Sequence, residues 1–132
     1  MKPFEVEILT PARRVFKGQV LSLTVPGSAG EFQVLYNHAP LMSSFEIGKI
    51  KIITPEETTK VYATGGGVIE VLNNVLTLVA DSAELPEEID QKRATASAER
   101  AKKRISARQS GVDINRAEMA LARALNRLKY KK

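Results

Sequence analysis

Two rhythms divide this chain. From Phe4 to Ala80 apolar and polar residues alternate in short runs, as in Phe4-Glu5-Val6-Glu7-Ile8, the period of a strand with one buried face. After Leu85 the apolar positions recur every three or four residues, as in Ile114, Ala117, Leu121, Ala124 and Leu128, which is one face of a helix. The first rhythm predicts strands over 4–9, 15–16, 20–25, 32–35, 41–47, 49–54, 60–63, 68–71 and 75–80. Thr10-Pro11 ends the first strand and Gly18 is expected at a turn. Pro26-Gly27-Ser28-Ala29-Gly30 and Tyr36-Asn37-His38-Ala39-Pro40 break the alternation, and Pro55-Glu56-Glu57 and Asn73-Asn74 read as hairpin loops.

The second rhythm predicts helices over 87–108 and 113–129, broken at Ser110-Gly111. Pro86 suits a first turn, Glu87 and Glu88 suit the positive end of the helix dipole, and Asp113 is a candidate N-cap. Nine alanines lie between Ala94 and Ala124, so the helices form readily. Their apolar faces are thin: Ile89, Ala94, Ala98, Ala101 and Ile105 on the first are mostly small. At about 25 cal/mol per Å² such a stripe stabilises docking only modestly, the condition a conformational switch needs.

Together these elements predict an α+β chain. An N-terminal antiparallel β-sandwich or flattened barrel over residues 1–84 is followed by a C-terminal two-helix hairpin over 85–132. Composition agrees on the boundary. Residues 1–86 carry seven basic and nine acidic side chains, net −2, and residues 87–132 carry thirteen and six, net +7. All six prolines, seven of eight glycines and six of seven aromatics precede residue 87. The basic tail expects an acidic partner.

Chemistry narrows the picture further. There is no cysteine and one histidine, His38, which excludes disulfides and thiolate metal sites and leaves no nucleophile–base pair. Gly65-Gly66-Gly67 is not followed by Lys-Ser/Thr and leads into a strand, so it is not a phosphate loop. No apolar run is long enough to span a membrane, and the acid at Glu5 does not fit a signal peptide. A cytoplasmic protein without catalysis of its own is expected. On the first helix Asp90, Arg93 and Arg100 share one side, and on the second Arg123 and Arg127 are i, i+4 neighbours. This pattern has two readings: a solvated basic face, or guanidinium groups gathered for a phosphate chain.

Several motifs in order resemble one family. Thr10-Pro11 before Val15-Phe16, Gly30-Glu31, His38-Ala39-Pro40-Leu41, Gly65-Gly66 before Ile69-Glu70-Val71 and the alanine-rich tail together are similar to the ε subunit of F-type ATP synthase. Gln33 and Tyr36-Asn37 depart from it where the family commonly has glycine and Pro-Gly or Pro-Asn. Ile89-Asp90-Gln91-Lys92-Arg93-Ala94 resembles the signature of bacterial members that bind ATP. The resemblance implies an ATP pocket of Glu84, Ile89, Asp90, Arg93, Ala94, Arg100, Arg123 and Arg127, with the role of Mg²⁺ left open. It also implies a non-catalytic rotor subunit that joins the γ subunit and the ring of c subunits, with Glu31 and His38 at the rotor interface. Through an ATP-responsive hairpin that reaches acidic segments of the β subunits, it would restrain hydrolysis at the cytoplasmic face of a bacterial membrane. Two alternatives remain from the residues alone. A small nucleic-acid-binding module would use the basic tail, and a small nucleotide-binding enzyme would use the arginines.

Overall fold

The computed structural model describes residues 1–107 and 113–131. The chain divides into two units, Met1–Leu85 and Pro86–Lys132.

The first unit holds ten strands: β1 (Phe4–Leu9), β2 (Arg14–Val20), β3 (Ser22–Gly27), β4 (Gly30–Val34), β5 (Leu41–Phe45), β6 (Gly48–Ile53), β7 (Thr59–Thr64), β8 (Gly67–Leu72), β9 (Val75–Ala80) and β10 (Ala83–Glu84). They form one hydrogen-bonded path, β10-β7-β6-β3-β5-β8-β9-β1-β2, with β4 on β3. β3 is the corner between two layers. Its first half pairs with β6, its last residue Gly27 faces Phe45 of β5, and β4 takes its other edge. Alternation then does what the sequence requires. Val6, Ile8, Leu23, Val25, Ile50, Ile52, Ile69, Leu76 and Leu78 point inward and form one core.

The sandwich and the hairpin are as expected, with four local differences. β1 pairs antiparallel with β2 but parallel with β9, Glu5 opposite Val75 through Leu9 opposite Val79, so the sheet is not antiparallel throughout. Gly18 is no turn. It lies within β2 opposite Val6, and a Cβ there would sit 3.4 Å from the Phe16 ring, which covers the glycine. β5 stops at Phe45 because Glu46 N–H turns to the Pro26 carbonyl at 2.7 Å. β10 has only two residues, too few to show a period. The glycine run is structural: Gly66 has φ 96°, and a Cβ on Gly67 would collide with the Val79 carbonyl.

Short-range turn chemistry holds. Asn73 and Asn74 both take positive φ, 50° and 61°, and join Leu72 to Val75 as the two-residue hairpin turn that asparagine tolerates.

The second unit opens with a 3₁₀ turn, Pro86–Glu88, then α1 (Gln91–Ala107) and α2 (Ile114–Tyr130). The first helix thus starts four residues later than its charge pattern suggested, because Asp90 caps it. The Asp90 carboxylate accepts from Arg93 N–H at 3.1 Å, and its carbonyl accepts from Ala94 N–H at 3.0 Å. Ile89 before the cap and Ala94 after it are buried, a small hydrophobic staple. Asp113 does the same for α2 through Arg116 N–H at 3.1 Å. The helices pack on each other, and their fully buried positions are alanines: Ala94, Ala98, Ala101, Ala117 and Ala124. Lys131 Nζ donates to the Pro86 carbonyl at 3.3 Å, so the pair is antiparallel with its two chain ends together. The expected break at Ser110-Gly111 and the expected helix end at Arg108 lie outside the described residues.

This packing has two measurable consequences. A fragment of residues 1–85 retains its β fold, whereas a fragment ending at Ser82 strips the β10 pairing and the buried Ala83 and melts several degrees lower in thermal unfolding. Asp90→Ala lowers the hairpin's stability by about 1 kcal/mol; Asp90→Asn, which caps equally well, leaves helicity by circular dichroism unchanged.

Candidate functional site

At about 100° per residue, Arg93 and Arg100 project to one flank of the Ala94–Ala98–Ala101 stripe, and Arg123 and Arg127 project to the corresponding flank of the Ala117–Ala124 stripe. Because the helices run antiparallel, these two flanks face the same way. Arg93, near the start of α1, and Arg127, in the last turn of α2, belong to the end where Lys131 meets Pro86. Arg100 and Arg123 belong to the middle of their helices. The hairpin therefore collects the four expected arginines on one side. Arg93 and Arg100 are exposed, and Arg123 and Arg127 are half-buried. The Arg100 guanidinium donates to Ser97 Oγ at 3.1 Å, which turns it along its own helix.

The same construction adds Arg104 and Arg116 to that flank. Sequence reasoning passed over them, although their spacing from Arg100 and Arg123 held the signal. Such a row of cations repels itself, and an anion lying along it relieves the repulsion.

The remaining expected residues stand differently. Asp90 is a cap as well as a carboxylate: one of its oxygens already serves the helix. Ile89 and Ala94 are 2% and 4% exposed, so they support the helix start from within. Glu84 belongs to the first unit, on β10 opposite Ala63. Glu31 is exposed beside the β3–β4 turn, opposite Pro26. His38 is half-buried in the loop before β5, its N–H donating to the Leu35 carbonyl at 3.2 Å. Among the described residues no group of three or more acidic or histidine side chains could hold a metal ion. No described helix is long and apolar enough to cross a membrane.

A second surface emerges on the sandwich. On β8 and β9 four of the six outward positions are apolar as well as the inward ones, on either side of the polar pair Glu70–Thr77. Val68 faces Val79 and Leu72 faces Val75 across the pair. All four are exposed, as is Met42 on the neighbouring strand β5, at 70%. The signal lay in Val75-Leu76-Thr77-Leu78-Val79-Ala80, apolar at both parities except for Thr77, close to the pattern of a strand covered on both faces. One of those faces has no cover within this unit.

Comparison with known proteins respects the same division. The model of the ATP synthase delta/epsilon chain beta-sandwich domain matches residues 3–86, and that of the long alpha-helix domain matches residues 87–132. A protein from Desulfitobacterium hafniense strain Y51 named ATP synthase epsilon chain is 43% identical over 125 residues, covering 95% of this chain and 93% of its own. A protein of the same name from Halalkalibacterium halodurans is 37% identical over 129 residues, covering 97% and 96%. Among solved structures, a chain of the Euglena gracilis mitochondrial ATP synthase superposes with a TM-score of 0.79 at 19% identity, covering 94% of this chain and 78% of that one. A chain from the central stalk and c-ring of the Tetrahymena thermophila enzyme superposes with a TM-score of 0.56 at 14% identity, covering 64% and 68%. These two show a shared fold. The family matches, and relatives this similar over nearly the whole length, make the chain a member of the ATP synthase epsilon-chain family.

Proposed function

We propose that this chain is a non-catalytic subunit of the rotor of a bacterial F-type ATP synthase, peripheral at the cytoplasmic face of the membrane, and that its hairpin responds to ATP. The observation that carries the rotor reading is the uncovered apolar face of β8 and β9 in a chain whose relatives are ATP synthase epsilon chains. That face takes the γ subunit, while the polar loops with Glu31 and His38 meet the rotor where γ joins the c-ring. The chain then turns with the stalk and helps couple proton flow to ATP synthesis. The nucleic-acid alternative has no support from the family, and neither does an enzyme.

The hairpin reading rests on the arginine flank. ATP carries its negative charge on a row of phosphates, and Arg93, Arg100, Arg123 and Arg127 offer charge-assisted donors along one side of the folded pair. Ile89, Asp90 and Ala94, the start of α1, provide the end where the base lies, with the second oxygen of Asp90 as an acceptor for an amino group. Whether Mg²⁺ accompanies the nucleotide is decided by the count of phosphate charges left after the arginines. Separation of the helices disperses the row, so ATP binds the folded hairpin and draws the population to it. When the helices part, the basic α2 is able to reach acidic segments of the β subunits and hold back hydrolysis.

Calorimetry on the isolated chain tests the ATP site. Arg100→Ala and Arg127→Ala each weaken ATP binding by roughly 10- to 100-fold, the loss of one charge-assisted contact, whereas Lys102→Ala, on the other flank of α1, leaves it unchanged. Equal affinity in all four proteins returns the flank to a solvated basic surface. The rotor face is tested separately: Val79→Lys, an exposed position at 50%, leaves the isolated fold intact and lowers assembly with γ at least about 10-fold, the effect of an unpaired charge in a buried interface.

A further inference from the structure

Asn74 joins three segments at one end of the sandwich. Its carbonyl accepts from Glu5 N–H at 3.1 Å, at the start of β1. Its side-chain oxygen accepts from Asn37 N–H at 2.6 Å, and its side-chain nitrogen donates to Asn37 Oδ1 at 3.0 Å. Both asparagines are left-handed, with φ 63° at Asn37 and 61° at Asn74, a conformation that asparagine accepts more readily than most residues. The two bonds bridge 37 positions of sequence and are exposed to solvent. Together with His38, Pro40 and Asn73 the pair lines a concavity of about 230 Å³.

Both sequence neighbours of Asn37 make contacts of their own. His38 Nδ1 lies 2.7 Å from the Ala39 carbonyl. A carbonyl only accepts, so Nδ1 carries a proton, and in a ring with a single proton Nε2 is the acceptor. On the other side, the Tyr36 ring is held under Lys2 Nζ at 5.4 Å. The turn that Asn74 closes leads directly into Val75, the edge of the apolar face.

We propose that Asn74 is a positioning residue: it clasps the loop of residues 36–40 onto the β8–β9 turn, so that loop and turn form one preformed docking element whose His38 Nε2 receives a hydrogen bond from a donor on the partner. The docking half of this inference rests on the rotor reading above, and the clasp itself does not. A loop ordered in advance loses less conformational freedom on association. The donor class is a backbone N–H, a hydroxyl or a basic side chain; a carboxylate is the wrong partner.

The test uses the full chain labelled with ¹⁵N. Asn74→Gly keeps the left-handed turn and removes both side-chain bonds. The Asn37 amide then exchanges with solvent about 10-fold faster, while thermal unfolding stays within a few degrees. Asn74→Asp keeps the acceptor for Asn37 N–H, so exchange there stays close to that of the parent chain. Imidazole ¹⁵N shifts report the Nδ1-protonated tautomer in the parent chain and a mixture in Asn74→Gly. Added back to an ATP synthase complex that retains γ and the c-ring but lacks this chain, Asn74→Gly binds about 10-fold more weakly and His38→Ala by a similar factor. Unchanged exchange at Asn37 in Asn74→Gly overturns the clasp. Faster exchange with undiminished add-back, while His38→Ala is impaired, overturns the positioning role. Full add-back of both variants places the loop outside the interface and overturns the docking half along with the rotor contact of His38.

Discussion

Strand β9 is the constraint on which the sandwich depends. It is paired on both edges, antiparallel to β8 and parallel to β1. Leu76 and Leu78 point inward and are fully buried. A slip of one residue in either pairing would turn both leucines outward and bring Val75, Thr77 and Val79 into the core. The register is held at one end by the Asn73-Asn74 turn and at the other by Gly67, where β9 backbone comes too close for any side chain. With β9 fixed, its outward valines are fixed too. The core and the apolar outer face are thus two consequences of one register.

Much of this was legible because it is local. Alternation identifies strands wherever one face is buried, and the hairpin at Asn73-Asn74 announces itself by residues that tolerate positive φ. The errors arose where a tertiary neighbour supplied the reason. Gly18 reads as a turn until β1 is seen to pair with it at Val6. The parallel union of β1 and β9 joins residues some seventy positions apart, and no periodicity reports which strands become neighbours. β10 exists only because β7 offers it an edge at Ala63 and Thr64.

The arginine flank was legible for the opposite reason: helical period alone decides which residues share a side. Period did not show that a functional residue can also be a structural one. Asp90-x-x-Arg93-Ala94 at the start of α1 is repeated as Asp113-x-x-Arg116-Ala117 at the start of α2, and both aspartates cap their helices through the arginine amide. Much of the motif is therefore what any helix of this hairpin needs: an acceptor at the cap and a small residue where the buried stripe begins. What distinguishes the first copy is its companions, Arg100, Arg123 and Arg127, assembled along the same flank.

The caps also decide what separating the helices would cost. Each helix carries its own start, so neither depends on the other for its first turn. Alanine favours the helical state independently of packing. Parting the pair thus forfeits the contact between alanine faces and the bond from Lys131 to Pro86, but not the helices themselves. Against that small loss stands the relief of like charges along the arginine flank. A ligand present at about a hundred times its dissociation constant adds about 2.7 kcal/mol to the form it binds. Where the opposing terms are a few alanine contacts and a partly exposed charge row, a contribution of that size is enough to set which arrangement prevails.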